Sequence, residues 1–376
     1  PRRNPAMTLA AAGAAGLVVG LAVSAVLVLS NDRATVVERV VERVAVPVGG
    51  TTGAVGVALG TADGTAAGAL PSIADVVARV SDSVLRVEVY NGPIAVGTGS
   101  AVVLRDDGHV LTNSHVVDGG SIFVLVTAGG TRLRAQLVGA DELTDIAVLR
   151  AVGTTDGGPA PPLTPATLGS TVGLRAGHTA IAIGSPLGLR GGPTVTVGVI
   201  SAVHRQIQGG GGDIYYDLVQ TDAPISPGSS GGALTDRAGA LVGITTLVAV
   251  SEIGAEGLAF ATPVEIAHDV ATDIINHGRA RHGWLGISGG DATAAQLDGT
   301  GVPRGVTVFG VADDGPAARA GLRAGDVLLS LAGVPVMSMG DLVADTRLLQ
   351  PGDAVPVELY RDGRRETTSV TVGLRP

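Results

Sequence analysis

From residue 71 onward the chain is a succession of short apolar runs broken by Gly, Pro and Asp. Runs at 84–90, 99–104, 109–112, 122–127, 146–150, 179–183 and 195–202 are rich in Val, Ile, Leu and Thr and too short for ordinary helices. Many short strands at this spacing point to a sandwich or barrel rather than an α/β sheet. A helix precedes them: Ser72 is a suitable N-cap, and Ile73, Val76, Val77 and Val80 share one face. Another begins near Pro263 and stops at His277-Gly278, glycine being the expected terminator. From about residue 283 the pattern becomes mixed. Strands are expected at 284–287, 306–311, 327–331, 355–361 and 368–373, with helices at 316–320 and 342–349. Some ninety residues of this kind make a small separate domain.

The first seventy residues read differently. Residues 6–30 carry no charge and are mostly Ala, Val, Leu and Gly. As a helix they would extend roughly 37 Å, enough for a bilayer core of about 30 Å. Arg2 and Arg3 precede the run and Asp32 follows it, which places the N-terminal side in the cytoplasm. A cleaved signal peptide would have a shorter apolar region with its small-residue site after it, whereas Ala22-Val23-Ser24 lies inside this one. The expectation is an anchor over 1–30. Residues 36–44 repeat a Val-Val-Glu-Arg unit that suits a solvated stalk, and could form a short helical stripe or, being β-branched, a strand; residues 47–70 have the Gly/Ala/Thr composition of a linker. The expected organisation is anchor 1–30, stalk 31–70, a β-rich domain 71–280 and a second domain 283–376.

Composition narrows the chemistry. The 376 residues include no cysteine, so disulfides and Cys-ligated metal are excluded. The net charge of −9, with no long basic run, argues against a nucleic-acid partner. Aromatics are only 2%, and every basic side chain is arginine.

Three segments carry candidate catalytic chemistry. Gly228-Ser229-Ser230-Gly231-Gly232 is Gly/Ser-rich, as flexible loops commonly are. Upstream lie Thr112-Asn113-Ser114-His115-Val116-Val117 and Thr144-Asp145-Ile146-Ala147-Val148-Leu149. A serine hydroxyl needs an imidazole to take its proton and a carboxylate to hold that imidazole in the right tautomer. The order His115, Asp145, Ser230 is that of chymotrypsin-type enzymes, and the set reads as a serine protease. Ser229 is an alternative nucleophile, though the glycines directly after Ser230 favour the latter. Asp141 and Asp222 compete for the carboxylate role. The backbone amides of Gly228 and Ser230, with Ser229 between them, are the expected oxyanion hole.

Together these segments resemble the three catalytic blocks of the HtrA (Deg) family of serine proteases. Ala182-Ile183-Gly184-Ser185-Pro186-Leu187-Gly188, Val197-Gly198-Val199-Ile200-Ser201-Ala202, Gln220-Thr221-Asp222-Ala223 and the run 257–263 are similar to further family motifs. Pro316-Ala317-Ala318-Arg319-Ala320-Gly321-Leu322 and Trp284-Leu285-Gly286-Ile287 resemble a PDZ domain and its carboxylate-binding loop. The resemblance covers about 71–374. It implies a mainly β chain: a chymotrypsin-like double β-barrel followed by a small α/β PDZ domain, behind an N-terminal transmembrane helix. It implies an ATP-independent endopeptidase acting on misfolded or signalling proteins outside the cytoplasmic membrane. The PDZ loop Trp284, Leu285, Gly286 and Ile287 would capture peptide C-termini beside helix 342–349; Trp284, the sole tryptophan, would otherwise fill the core. A homotrimer is the family default, although no aromatic trimerisation motif is evident near residue 71. No cofactor or metal is expected.

The family usually has Asn where Ser229 stands. Since the oxyanion donors are backbone amides, activity should survive that change. Pro224, Ile225 and Ile244-Thr245-Thr246 carry no charge, so a primary pocket there should favour small aliphatic residues. The very short segment 91–98 argues against large cages, and loops 206–213 and 247–257 are the expected control elements. Two other readings stand beside the degradative one: a peptide-binding or chaperone module on a protease scaffold, and a regulatory protease with one membrane-protein substrate.

Overall fold

The computed structural model describes residues 71–185, 192–208, 214–248 and 258–376, the side chains of Leu247 and Val248 excepted. In the N-terminal part it describes only the backbone of Val23–Val28 and Thr35–Val40, which pair as antiparallel strands. The helix expected over 1–30 is therefore not seen across Val23–Val28, a stretch with three β-branched valines that extended backbone suits. The remainder of that expected anchor lies outside the described residues. Among those described, no helix is long and apolar enough to cross a membrane.

Two closed six-stranded barrels follow. The first contains β1 (Val84–Asn91), β2 (Ile94–Val103), β3 (His109–Thr112), β4 (Ile122–Val126), β5 (Arg132–Asp141) and β6 (Ile146–Thr154), in spatial order β1-β2-β3-β6-β5-β4. The second contains β7 (Thr179–Gly184), β8 (Thr194–Gln208), β9 (Ile214–Thr221), β10 (Ala233–Thr235), β11 (Leu241–Val248) and β12 (Ala259–Pro263), in order β8-β9-β12-β11-β10-β7. Closure leaves neither barrel with a free sheet edge.

The apolar runs are nearly continuous because several strands are buried on both faces. Along β6, Ala147, Leu149 and Ala151 point into the first barrel, while Ile146 and Val148 join a second core. That second core lies between the barrels and includes Ile181 and Ile183 of β7. Helices α1 (Ile73–Val80) and α3 (Val264–His277) cover it with Val76, Val80, Val264 and Ile274. Removing one such side chain, Ile146→Ala for example, should cost about 2–5 kcal/mol. The expected caps are present. Ser72 and Asp75 form a reciprocal capping box, and Gly278 ends α3 at φ +75° with its amide on the Ile274 carbonyl.

Strand boundaries within the barrels differ from the sequence reading, most clearly at the first turn and along β8. Residues 91–98 are no connecting segment: β1 and β2 run into a tight turn at Gly92-Pro93. Strand β8 continues six residues past Ala202 to Gln208, and with β9 it forms an arm. The loop expectations for 209–213 and 249–257 lie outside the described residues.

The C-terminal part is a sheet ordered β13 (Ile287–Asp291), β14 (Val306–Val311), β15 (Val327–Leu331), β16 (Ala354–Arg361) and β17 (Arg364–Thr371). Helix α4 (Met339–Leu348) packs against it. Residues 284–287 are not one strand as expected. Gly283–Trp284 pair with Gly373–Leu374, Leu285 and Gly286 form a turn, and Ile287 opens β13.

Candidate active site

His115 is carried by a single helical turn, α2 (Ser114–Val117), directly after β3; Asp145 closes the turn before β6. Asp145 has φ +55°, and Asn113 Nδ2 donates to its carbonyl at 2.8 Å, holding that unusual backbone. Its carboxylate, 1% exposed, accepts from four groups. Ser114 Oγ (2.9 Å), the His115 amide (3.1 Å) and His115 Nδ1 (2.8 Å to Oδ2) are three; the Thr246 hydroxyl is the fourth. Burial of a carboxylate is tolerated when its lone pairs are filled in this way. With Nδ1 donating to Asp145, the imidazole presents Nε2 as its acceptor. The His115 side chain is 47% exposed, so that nitrogen is open to an incoming group.

Ser230 lies in the turn before β10. Its carbonyl accepts from the Ser100 amide (2.8 Å), and Ser100 Oγ donates to the Gly228 carbonyl (2.8 Å), so one residue of β2 staples the loop on both sides of Ser229. The glycines are sterically required. A Cβ on Gly231, at φ +84°, would stand 2.1 Å from the Ser100 carbonyl oxygen, and one on Gly232 would stand 2.7 Å from that of Ile183. The amides of Ser229, Gly231 and Gly232 are engaged by the carbonyls of Ser226, Thr245 and Ser229. Those of Gly228 and Ser230 have no partner among the described residues. Of the three expected oxyanion-hole residues, then, Ser229 has no amide to offer, because the turn's own geometry consumes it.

The Ser230 hydroxyl donates to the Thr246 carbonyl at 3.3 Å rather than to His115. Ser229 lines a cavity of about 20 Å³ with Pro224, Ile225 and Thr245, roughly one water's room. No charged group lines that cavity. The rival acids are placed elsewhere. Asp222 accepts from the Val199 amide at 2.6 Å. Asp141 binds His282 Nε2 (2.9 Å) and Thr144, and these bonds hold its carboxyl below the usual range although burial alone would raise it. Sequence reading assigns no role to Ser100, to Asn113 and Ser114 within the His115 motif, or to the hydroxyl of Thr246, since their bonds depend on how distant segments meet. Among the described residues no acidic or histidine cluster is arranged to hold a metal.

A second concave site, about 410 Å³, lies between residues 284–287, the edge strand β13 and α4. The Leu285 carbonyl accepts from Ala317 N (2.8 Å) and that of Gly286 from Ala312 N (2.7 Å). In trans peptides this turns the amides of Gly286 and Ile287 the opposite way. Trp284 lines the groove with its ring beside Gly286, so it serves the site's wall and the turn's packing together.

Comparisons with known proteins identify both domains. Residues 99–244 match the trypsin-like peptidase domain family and residues 283–372 the PDZ domain family. A probable periplasmic serine endoprotease DegP-like from Pseudomonas savastanoi pv. phaseolicola is 39% identical over 280 residues, covering 74% of this chain and 56% of that protein. A relative of the same description from Halomonas elongata is 38% identical over 277 residues, 73% and 56% respectively. The chain thus spans about half the length of the curated relatives it matches. Among solved structures, the HtrA-type protease AlgW with tripeptide is similar at TM-score 0.68 and 37% identity, covering 81% of this chain and 98% of that one. The serine endoprotease from Yersinia pestis gives 0.58 and 32%, covering 81% and 99%.

Proposed function

Because the chain belongs to the HtrA-type serine proteases, with a trypsin-like peptidase domain ahead of a PDZ domain, we propose that it is an endopeptidase with Ser230 as nucleophile. Ser230 Oγ adds to the scissile carbonyl carbon while His115 Nε2 takes its proton. Asp145 holds the imidazole's tautomer and stabilises the imidazolium. The developing oxyanion is received by the amides of Gly228 and Ser230, one such donor being worth about 10²–10³ in rate. His115 then protonates the leaving amine, and water, activated by the same imidazole, releases the acyl group. The observation that carries this reading is that the amides of Gly228 and Ser230 are unengaged among the described residues while the His115–Asp145 pair is already locked by hydrogen bonds.

The proposed substrates are misfolded or signalling polypeptides outside the cytoplasmic membrane, in keeping with the periplasmic relatives. The uncharged run 6–30 supports attachment to that membrane, and a homotrimer is the assembly the family suggests. The amides of Gly286 and Ile287 take a peptide's terminal carboxylate, and the peptide adds a strand to the free edge of β13. The Ser230 bond to Thr246 favours a regulated enzyme, in which an occupant of the groove turns the hydroxyl toward His115.

Casein degradation and labelling by a fluorophosphonate probe test the assignment. Ser230→Ala should lower turnover by about 10⁶-fold and abolish labelling while peptide binding persists. Proteolysis surviving in that variant would reject Ser230 as nucleophile.

A further inference from the structure

The side chains lining the groove beside α4 include two arginines, Arg347 near the helix's C-terminal end and Arg375 beyond the last strand, and no acidic side chain. Arg347 is satisfied on one side only. Its Nη1 donates to the Leu143 carbonyl at 3.2 Å and its guanidinium lies over the Tyr216 ring, 5.1 Å from the centroid. Its Nε is buried without a hydrogen-bond partner. Burial and the neighbouring Arg375 both press its pKa downward.

No acid offsets this charge by direct pairing among the described residues. Asp141 attracts Arg347 at longer range, but its oxygens are occupied by His282 and Thr144. Asp345, on the same helix, is coupled to Asp217, Asp341 and His204 instead. A partly buried guanidinium with no acid paired to it is costly until an anion meets it, and its planar fork matches a carboxylate. The backbone amides of Gly286 and Ile287 already serve the terminal carboxylate of a bound peptide. The arginines are left for another.

We propose that the groove selects peptides bearing an acidic side chain among their last residues, read by Arg347 with Arg375 beside it. The inference rests on the peptide-groove reading above.

Trp284 is the only tryptophan and lines the groove, so its fluorescence reports occupancy in the full chain. Apolar decapeptides carrying Glu or Gln at each of the last few positions, as free acids and as C-terminal amides, are titrated into wild type, Arg347→Gln, Arg347→Lys and Arg375→Gln. At one position the Glu peptide should bind about ten-fold more tightly than its Gln twin. That preference should vanish in Arg347→Gln, survive in part in Arg347→Lys, and weaken in about 0.5 M salt. Equal affinities for every Glu/Gln pair, with free acids still preferred over amides, would overturn the acidic selectivity and leave the groove reading standing. No binding of any peptide would remove the groove reading itself. A preference that persisted in Arg347→Gln would reject Arg347 as the reader. If that variant does not fold, the wild-type pairs and Arg375→Gln decide the matter.

Discussion

The two sides of the proposed active centre are held by different means. Asp145 sits beneath side chains and backbone that saturate its carboxylate, and His115 is pinned to it at 2.8 Å. Ser230 rests on a loop of glycines fixed by backbone hydrogen bonds, and its own hydroxyl points to the Thr246 carbonyl. The acid–base pair is therefore locked where the two barrels meet, with Thr246 of β11 bonding the carboxylate beside β6, while the nucleophile's hydroxyl still has to leave the Thr246 carbonyl. Exchanging the Thr246 bond for one to His115 trades like for like, at about 1 kcal/mol or less. A site of this kind can be governed at the serine without disturbing the pair that activates it.

The strongest challenge to this contrast is Asp145→Asn. An amide there selects the wrong imidazole tautomer, and kcat should fall by about 10⁴-fold with the fold intact by circular dichroism. A loss under ten-fold would mean that the locked pair does not matter. Gly231→Ala strikes the other side. Its Cβ collides with the Ser100 carbonyl in left-handed backbone, so the loop must shift and both free amides with it. Activity should drop by at least about 10²-fold, and fluorophosphonate labelling should drop in step. Retained labelling would show that the loop absorbs the change.

Thr246→Val sharpens the comparison, because this residue touches both sides: its hydroxyl serves Asp145 and its carbonyl receives Ser230. Only the hydroxyl bond is lost, leaving a buried acceptor one donor short. A fall in kcat of about ten-fold with unchanged KM is expected, and Thr246→Ser should restore it.

The smallest effect should come from the seam between α4 and the β8–β9 arm. Asp345 is pushed up to about 6 by burial, with Asp217 and Asp341 adding to it. Its folded pKa thus exceeds its unfolded value of 3.8, and the native state loses stability as pH rises through about 6. His204, raised by its bond to Asp217, acts in the same sense, favouring the native state when protonated. Asp345→Asn should raise the melting temperature by about 2 °C near pH 7.5 and by nothing near pH 4. Equal gains at both values would show that the carboxyl does not titrate in the seam.

Local chain order explains what could be read in the sequence. His115, Asp145 and Ser230 each lie in a short motif, and barrel strands announce themselves as short, nearly continuous apolar runs. The PDZ loop was likewise visible as Trp284-Leu285-Gly286-Ile287. Contacts set by closure of the fold were not. Ser100 reaches Gly228 across 128 positions, and Arg347 reaches Leu143 across 204. The outer part of β8 was missed because Arg205 and Gln206 are exposed and break the apolar pattern. The motif points to the amides of Gly228 and Ser230, but that the turn consumes the Ser229 amide between them is seen only in the fold.

Helix α4 walls the groove on one side, and from its far end Arg347 grips the carbonyl of Leu143, two residues ahead of Asp145. In descent, such a helix ties two traits together. A lineage that recast residues 343–347 to welcome a different ligand would refit the approach to the proposed catalytic carboxylate in the same stroke. Taste and temper are inherited here as a single character.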